Sequence, residues 1–170
     1  MLRRWRDDDA PRHEALRADP AVSRLLGAPP SPAESRATIA RQNALLDTLG
    51  YCFWAVELRA SAAFIGWCGL KPGPADSPVA GAIEIGWTLG SAHWGQGLAR
   101  EAATAVLAWA WAHTDERRVV AITTPGNTAS WGLMIRLGMT RVADGDFDHS
   151  ALAPGDPLRP HVTYAIERPA

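Results

Sequence analysis

Apolar residues first recur at helical spacing, then alternate, then return to helical spacing. Leu2 to Trp5 fits a short strand that starts abruptly after Met1. Asp7 to Asp9 can cap a helix, with Pro11 in its first turn. Apolar positions at Leu16, Val22, Leu25 and Leu26 predict that this helix runs on until Gly27, Pro29, Pro30 and Pro32 break it. Ser31 stands three residues before Glu34, the spacing of a capping box, and Ile39, Leu45, Leu46 and Leu49 mark the next helix, which Gly50 ends.

Strand patterns follow. Tyr51 to Leu58 and Ala63 to Leu70 are rich in aromatic and apolar residues and lie on either side of a short turn, which predicts a hairpin. KPGPADSPVAG has loop composition. In the run Ala82 to Leu89, Ile83, Ile85 and Trp87 share one face and Ala82, Glu84 and Gly86 the other. Leu98 to His113 is Ala-rich, without Gly or Pro, and predicts a long helix. Val119 to Thr123 is a β-branched strand. Thr128 to Leu137 predicts a short helix with Asn127 as N-cap and Gly138 just past its end. Arg141 and Val142, a long polar loop and the alternating run His161 to Ile166 close the chain. The order (helices, strands, helix, strand, helix, strands) predicts a mixed α/β layer fold with one core and one domain over residues 1–170.

Composition narrows the function. A chain of 170 residues with 47% hydrophobic and 21% charged residues is an ordinary globular mixture. A net charge of -1 supplies no field for nucleic acid or an anionic membrane. Lys71 is the only lysine, which reflects compositional bias. Cys52 and Cys68 sit in apolar strand runs and read as buried thiols. MLRRWRDDDA lacks the apolar segment of a secretory signal, and Ala62 to Leu70 is too short to span a bilayer, so a cytoplasmic protein is expected.

The segment WGQGLAREA, Trp94 to Ala102, places two glycines where the long helix begins. A helix N-terminus exposes unpaired N–H groups, and glycine lets backbone approach an anion closely. The amides of Trp94 to Arg100 can therefore cradle a phosphate, with Arg100 adding a side-chain contact. A turn that merely needs positive φ remains open as the structural alternative. Arg100 stands where a Rossmann loop needs its third glycine, and no lysine supports a P-loop.

EIGWTLGSAHWGQGLAREAATAVLAWAW, Glu84 to Trp111, resembles the acetyl-CoA-binding segment of the GCN5-related N-acetyltransferase (GNAT) superfamily. It is most similar to the branch that includes the ribosomal-protein N-terminal acetyltransferases. NTASWGLMIRLGM, Asn127 to Met139, resembles the family's Asn-x-x-Ser helix, and WAVE, FIGWCGL and FDH…HVTYAI resemble the same branch. The resemblance implies a central, mostly antiparallel twisted sheet, flanked by helices and splayed at the acetyl-CoA site. It implies a transferase, an acyltransferase that moves acetyl directly from acetyl-CoA to a primary amine, either a protein N-terminus or a small molecule.

The family's pyrophosphate loop, Q/R-x-x-G-x-G/A, falls on Trp94, Gly95, Gln96, Gly97, Leu98 and Ala99, with Trp94 in place of the polar first residue. Pantetheine is expected along the backbone from Ile85 through Trp87 to Leu89, and the Trp87 N–H is expected to face the oxyanion. Glu84, a carboxylate in an apolar strand, is the first candidate for the base, since burial disfavours the charged form. Pairing with an arginine or ordering water is its structural alternative. His93 is the second candidate, with a surface-loop role as its alternative. Asn127 matches the family's pantetheine contact and Ser130 the hydroxyl near the sulfur. The helix carries no tyrosine acid, the chain's tyrosines being Tyr51 and Tyr164, so solvent is left to protonate the thiolate.

Asp146, Asp148 and His149 are metal-ligand types, but they are expected to bond their own loop or shape the acceptor pocket, and no metal is expected. Trp109 and Trp111 cannot both face inward from one helix, so we expect one to mark a homodimer surface. Two further function classes are a non-catalytic acyl-CoA sensor with this fold and a scaffold without ligand. The glycine cradle disfavours the scaffold.

Overall fold

The computed structural model describes residues 1–170. The chain divides into two compact units, Met1–Lys71 with Trp87–Ala103, and Pro72–Gly86 with Thr104–Ala170.

The first unit begins with β1 (Leu2–Arg3) and three helices, α1 (Ala10–Ala18), α2 (Pro20–Leu26) and α3 (Pro32–Leu49). The expected single first helix is two. Pro20 cannot donate the N–H that would continue α1, and it disfavours helical ψ at the residue before it. Asp19 accordingly has ψ 120°, and its carboxylate accepts the Ala21 N–H at 2.8 Å, so the break becomes the N-cap of α2. Apolar spacing carries across such a break and conceals it. The capping box of α3 forms as its spacing predicts: Ser31 Oγ accepts the Glu34 N–H, and Glu34 accepts the Ser31 N–H.

Strands β2 (Phe53–Glu57) and β3 (Phe64–Pro72) form the expected hairpin, and β1 pairs antiparallel with β2. β3 neighbours β4 (Ile83–Leu89), whose last three residues belong to this unit. The backbones approach very closely here. A Cβ on Gly69 would stand 2.0 Å from the Cys52 carbonyl oxygen, and one on Gly66 would stand 2.1 Å from the Thr88 carbonyl oxygen. Trp5, Ala10, Ile39 and Ala55 form a buried cluster against Phe64 and Trp67. His13 is buried beside it, with Nδ1 3.1 Å from the buried Ser35 hydroxyl. Burial pushes the His13 imidazole down to about 4, and the charge of Arg17 adds to this.

Arg3 clamps the N-terminal segment. Its guanidinium donates to both Asp9 oxygens at 2.7 and 2.8 Å and to Glu57 at 2.6 Å. Burial alone would raise the Asp9 carboxyl. The Arg3 bonds, the Arg6 N–H and the charges of Arg3 and Arg12 reverse this and hold it below its usual range. Cys52 and Cys68 are free and buried, and burial pushes the Cys52 thiol up to about 12 and raises Cys68 as well.

The second unit contains the first residues of β4, most of α4 (Leu98–His113), β5 (Arg118–Thr123), α5 (Thr128–Arg136), β6 (Thr140–Arg141), β7 (Phe147–Asp148) and β8 (Pro160–Glu167). β8 pairs antiparallel with β5, β6 and β7. The polar loop before β8 thus contains a two-residue strand that alternation could not reveal. Asp146 is bound by Arg141 at 2.6 Å and Asp148 by Arg159 at 3.1 Å, while His149 Nδ1 accepts the Ala151 N–H at 3.3 Å. These residues bond the loop to itself.

β4 and β5 run parallel, but their register covers only Ile83↔Val119 and Glu84↔Val120. Every other strand pair with a stated register is antiparallel. Val79, Val120 and Ala165 form the unit's buried cluster. Trp109 and Trp111 are both half-buried. Trp109 stacks on His113 at 4.7 Å between ring centroids, and the Arg168 guanidinium covers Trp111 at 5.6 Å. Arg168 also donates to the Glu116, Trp111 and Thr114 carbonyls. The chain's own residues therefore lie over the rings that prompted the expectation of a homodimer surface.

Candidate active site

The first unit gathers most of the candidate residues on one continuous strand, turn and helix. β4 ends at Leu89, a single 3-10 turn spans Ser91–His93, and α4 opens at Leu98. Two hydrogen bonds pin the turn, from the His93 N–H to the Gly90 carbonyl at 2.9 Å and from the Trp94 N–H to the Ser91 carbonyl at 3.1 Å. Ser91 Oγ donates to Asp19, the residue that caps α2, and this bond is the main cause holding the Asp19 carboxyl below its usual range. The N-cap of one helix thereby also fixes the approach to another.

Gly95 and Gly97 have φ of 72° and 77°, the left-handed region that L side chains avoid. An added Cβ on either would meet no atom within 4 Å, so packing against protein does not explain the glycines. Their backbone faces open space. The first ladder bond of α4 runs from the Glu101 N–H to the Gly97 carbonyl at 3.0 Å, so the amides of Leu98, Ala99 and Arg100 stand ahead of it. Arg100 is exposed in this first turn, a position where a helix N-terminus disfavours a cation unless an anion is close. The Trp94 amide is engaged with Ser91, so an amide cradle begins at Gly95. Gln96 turns its side chain back, donating Nε2 to the Ala92 carbonyl at 2.9 Å. His93 is half-buried on the turn.

The Trp94 side chain has a role that its residue type concealed. Its indole Nε1–H donates to the Leu89 carbonyl at 2.7 Å, although the residue is 40% exposed. As a replacement for Gln or Arg it reads as a lost polar group. The indole N–H is nevertheless a donor, and that inventory was the only available signal.

The second unit holds Glu84, Ile85, Asn127 and Ser130. Glu84 is 5% exposed, and its register with Val120 and that residue's with Ala165 place it on the face of the unit's buried cluster. Ile85 is buried on the opposite face, so only its backbone is available to a ligand. Asn127 caps α5, its Oδ1 accepting the Ser130 N–H at 3.3 Å, which leaves the amide NH2 as a donor. Ser130 is half-buried in the first turn. The candidates thus fall into a strand–turn–helix group in one unit and a carboxylate with a capped helix in the other.

Residues 1–140 match the family model described as an acetyltransferase (GNAT) domain. The uncharacterized protein YkkB of Bacillus subtilis is 32% identical over 90 residues, which are 53% of this chain and 51% of that protein. The chain thus spans about half the length of this curated relative. Among solved structures, an acetyltransferase from Agrobacterium tumefaciens is similar with a TM-score of 0.77 and 27% identity, over 98% of this chain and 90% of that one. The ribosomal L7/L12 alpha-N-protein acetyltransferase RimL, in complex with coenzyme A, has a TM-score of 0.75 at 21% identity, over 98% and 92%. At that identity the likeness concerns the fold.

Proposed function

The chain belongs to the GNAT acetyltransferase family, and from that premise we propose that it is an acetyl-CoA-dependent N-acetyltransferase acting on a primary amine within a single catalytic domain. The observation that carries this reading is the glycine turn: two left-handed glycines facing open space, leading into the first amides of α4. Phosphate charge fits there because N–H groups and the helix dipole point toward it. The coenzyme A held by the structurally similar RimL supports the same ligand class.

Acetyl transfer requires an amine that has lost its proton, a stabilised oxyanion and a departing thiolate. Glu84 takes the first task as base, directly or through water, and His93 is the alternative. The backbone N–H of Trp87 takes the second. Ser130 lies in the first turn of α5, where a hydroxyl can donate to sulfur, and the Asn127 amide is the pantetheine contact. Ile85, Trp87 and Leu89 offer backbone along β4, and Gly95 to Arg100 hold the pyrophosphate. No metal enters these steps. Protein N-termini and small amines both satisfy this chemistry as acceptors.

Calorimetric titration with acetyl-CoA, CoA and NAD tests the reading, followed by turnover against a panel of amines and N-terminal peptides. Binding of acetyl-CoA and CoA without NAD, with acetyl transfer to at least one amine, is the expected result. Binding with no transfer across the panel would favour an acyl-CoA sensor.

A further inference from the structure

The direction of the backbone groups on β4 gives Trp94 a specific task. In a strand, successive residues turn their N–H and C=O to opposite edges. The Gly90 N–H donates to Ile65 of β3 at 2.9 Å, and the Thr88 carbonyl lies against Gly66 of β3. Both therefore face β3. The groups of Leu89, and those of Trp87 two residues earlier, face the other edge. β5 takes that edge in register only at Ile83 and Glu84. The Trp94 indole reaches the Leu89 carbonyl at this edge. The tie is short: Leu89 and Trp94 are five residues apart, and the pinned 3-10 turn lies between them.

We infer that Trp94 is a positioning residue that fixes the register in which the cofactor's pantetheine arm pairs with β4; this rests on the acetyl-CoA reading above. The pantetheine arm carries two amides, and each can pair with a strand edge as a peptide would. With the Leu89 carbonyl occupied by the indole, the edge offers the arm the Trp87 carbonyl and the Leu89 N–H, the Trp87 N–H being kept for the oxyanion, and pairing stops there. One register remains, and it sets how far the thioester reaches along β4. A side chain that left the Leu89 carbonyl open would admit a second pairing, shifted toward the turn. The residue that looks like a missing phosphate contact therefore acts on the other half of the ligand.

The test separates the two halves. Trp94→Phe keeps a ring and removes the N–H, and the 40% exposure of Trp94 makes the change tolerable to the fold, which a thermal melt verifies. Wild type and variant are titrated with CoA and with adenosine 3′,5′-bisphosphate, which has the nucleotide but no pantetheine. Trp94→Gln, which can restore a donor toward Leu89, serves as a second variant. We expect Trp94→Phe to bind CoA about fivefold more tightly, because one further hydrogen bond becomes available, with the bisphosphate affinity unchanged and Trp94→Gln closer to wild type. Equal shifts for both ligands would mean that Trp94 acts on the phosphate loop, and would overturn the inference. So would an unchanged CoA affinity, or one that weakens, which would assign the ring a packing role. A wild type that binds neither ligand would overturn the cofactor reading itself, and the register with it.

Discussion

Single residues bear the sharpest constraints. Gly97→Val places a β-branched side chain at φ 77° and fills the space in front of the turn. Calorimetry should show acetyl-CoA affinity falling at least about tenfold, against a fold loss of about 1–2 kcal/mol from the strained backbone. An affinity that survives would remove the turn from the binding site. Gly69→Ala is different in kind, because its Cβ would lie 2.0 Å from a backbone oxygen that cannot move alone. We expect a loss of about 3 kcal/mol or more in urea unfolding, with binding per folded molecule unchanged. For Glu84→Gln the acetyl-transfer rate should fall more at neutral than at high pH, where the amine deprotonates unaided; a loss independent of pH would assign Glu84 a structural role. The two glycines of the turn were legible in the sequence because a pair of them just before an Ala-rich helix marks backbone that side chains disfavour, and both have positive φ. Gly66 and Gly69 were not, since the oxygens they approach belong to Thr88 and Cys52, remote in sequence, and no local pattern records them.

Elements were legible where one rule acted alone. The long helix α4 matches its predicted bounds, Leu98–His113, because strong helix formers fill it and no breaker interrupts them. The α3 capping box likewise followed from the spacing of Ser31 and Glu34. Ser31→Ala should cost about 1 kcal/mol, read from a urea transition, because the Glu34 N–H loses its acceptor while the main-chain N–H of residue 31 stays bound to the Glu34 carboxylate. Where two rules competed, spacing misled. Apolar periodicity ran past Pro20, and the polar loop hid β7, whose two residues are too few to alternate. The Trp94–Leu89 bond was invisible for a further reason. Its acceptor is a main-chain carbonyl whose orientation is known only once β3 and β4 are paired.

Across the whole molecule the order of elements followed from the sequence, while its ionic interior did not. His13 and Asp9 both titrate below their ordinary values in the folded protein. Each therefore contributes stability that is fully present above its unfolded value and is lost as pH falls through its folded value. For His13 the window runs from 6.5 down to about 4. Unfolding free energy should drop by about 2 kcal/mol between pH 7 and 5 from this residue alone. Denaturant melts at the two values, repeated on His13→Gln, check this, and an equally steep slope in the variant would exclude His13 as the source. The division of the chain has a consequence during synthesis. Each compact unit is built from two stretches separated by part of the other, with β4 and α4 contributing to both. The first unit lacks its last strand residues and the glycine turn until the ribosome has released residue 103. A nascent chain stopped at Lys71 should therefore stay protease-sensitive, and folding should begin late, through contacts distant in sequence rather than hairpin by hairpin.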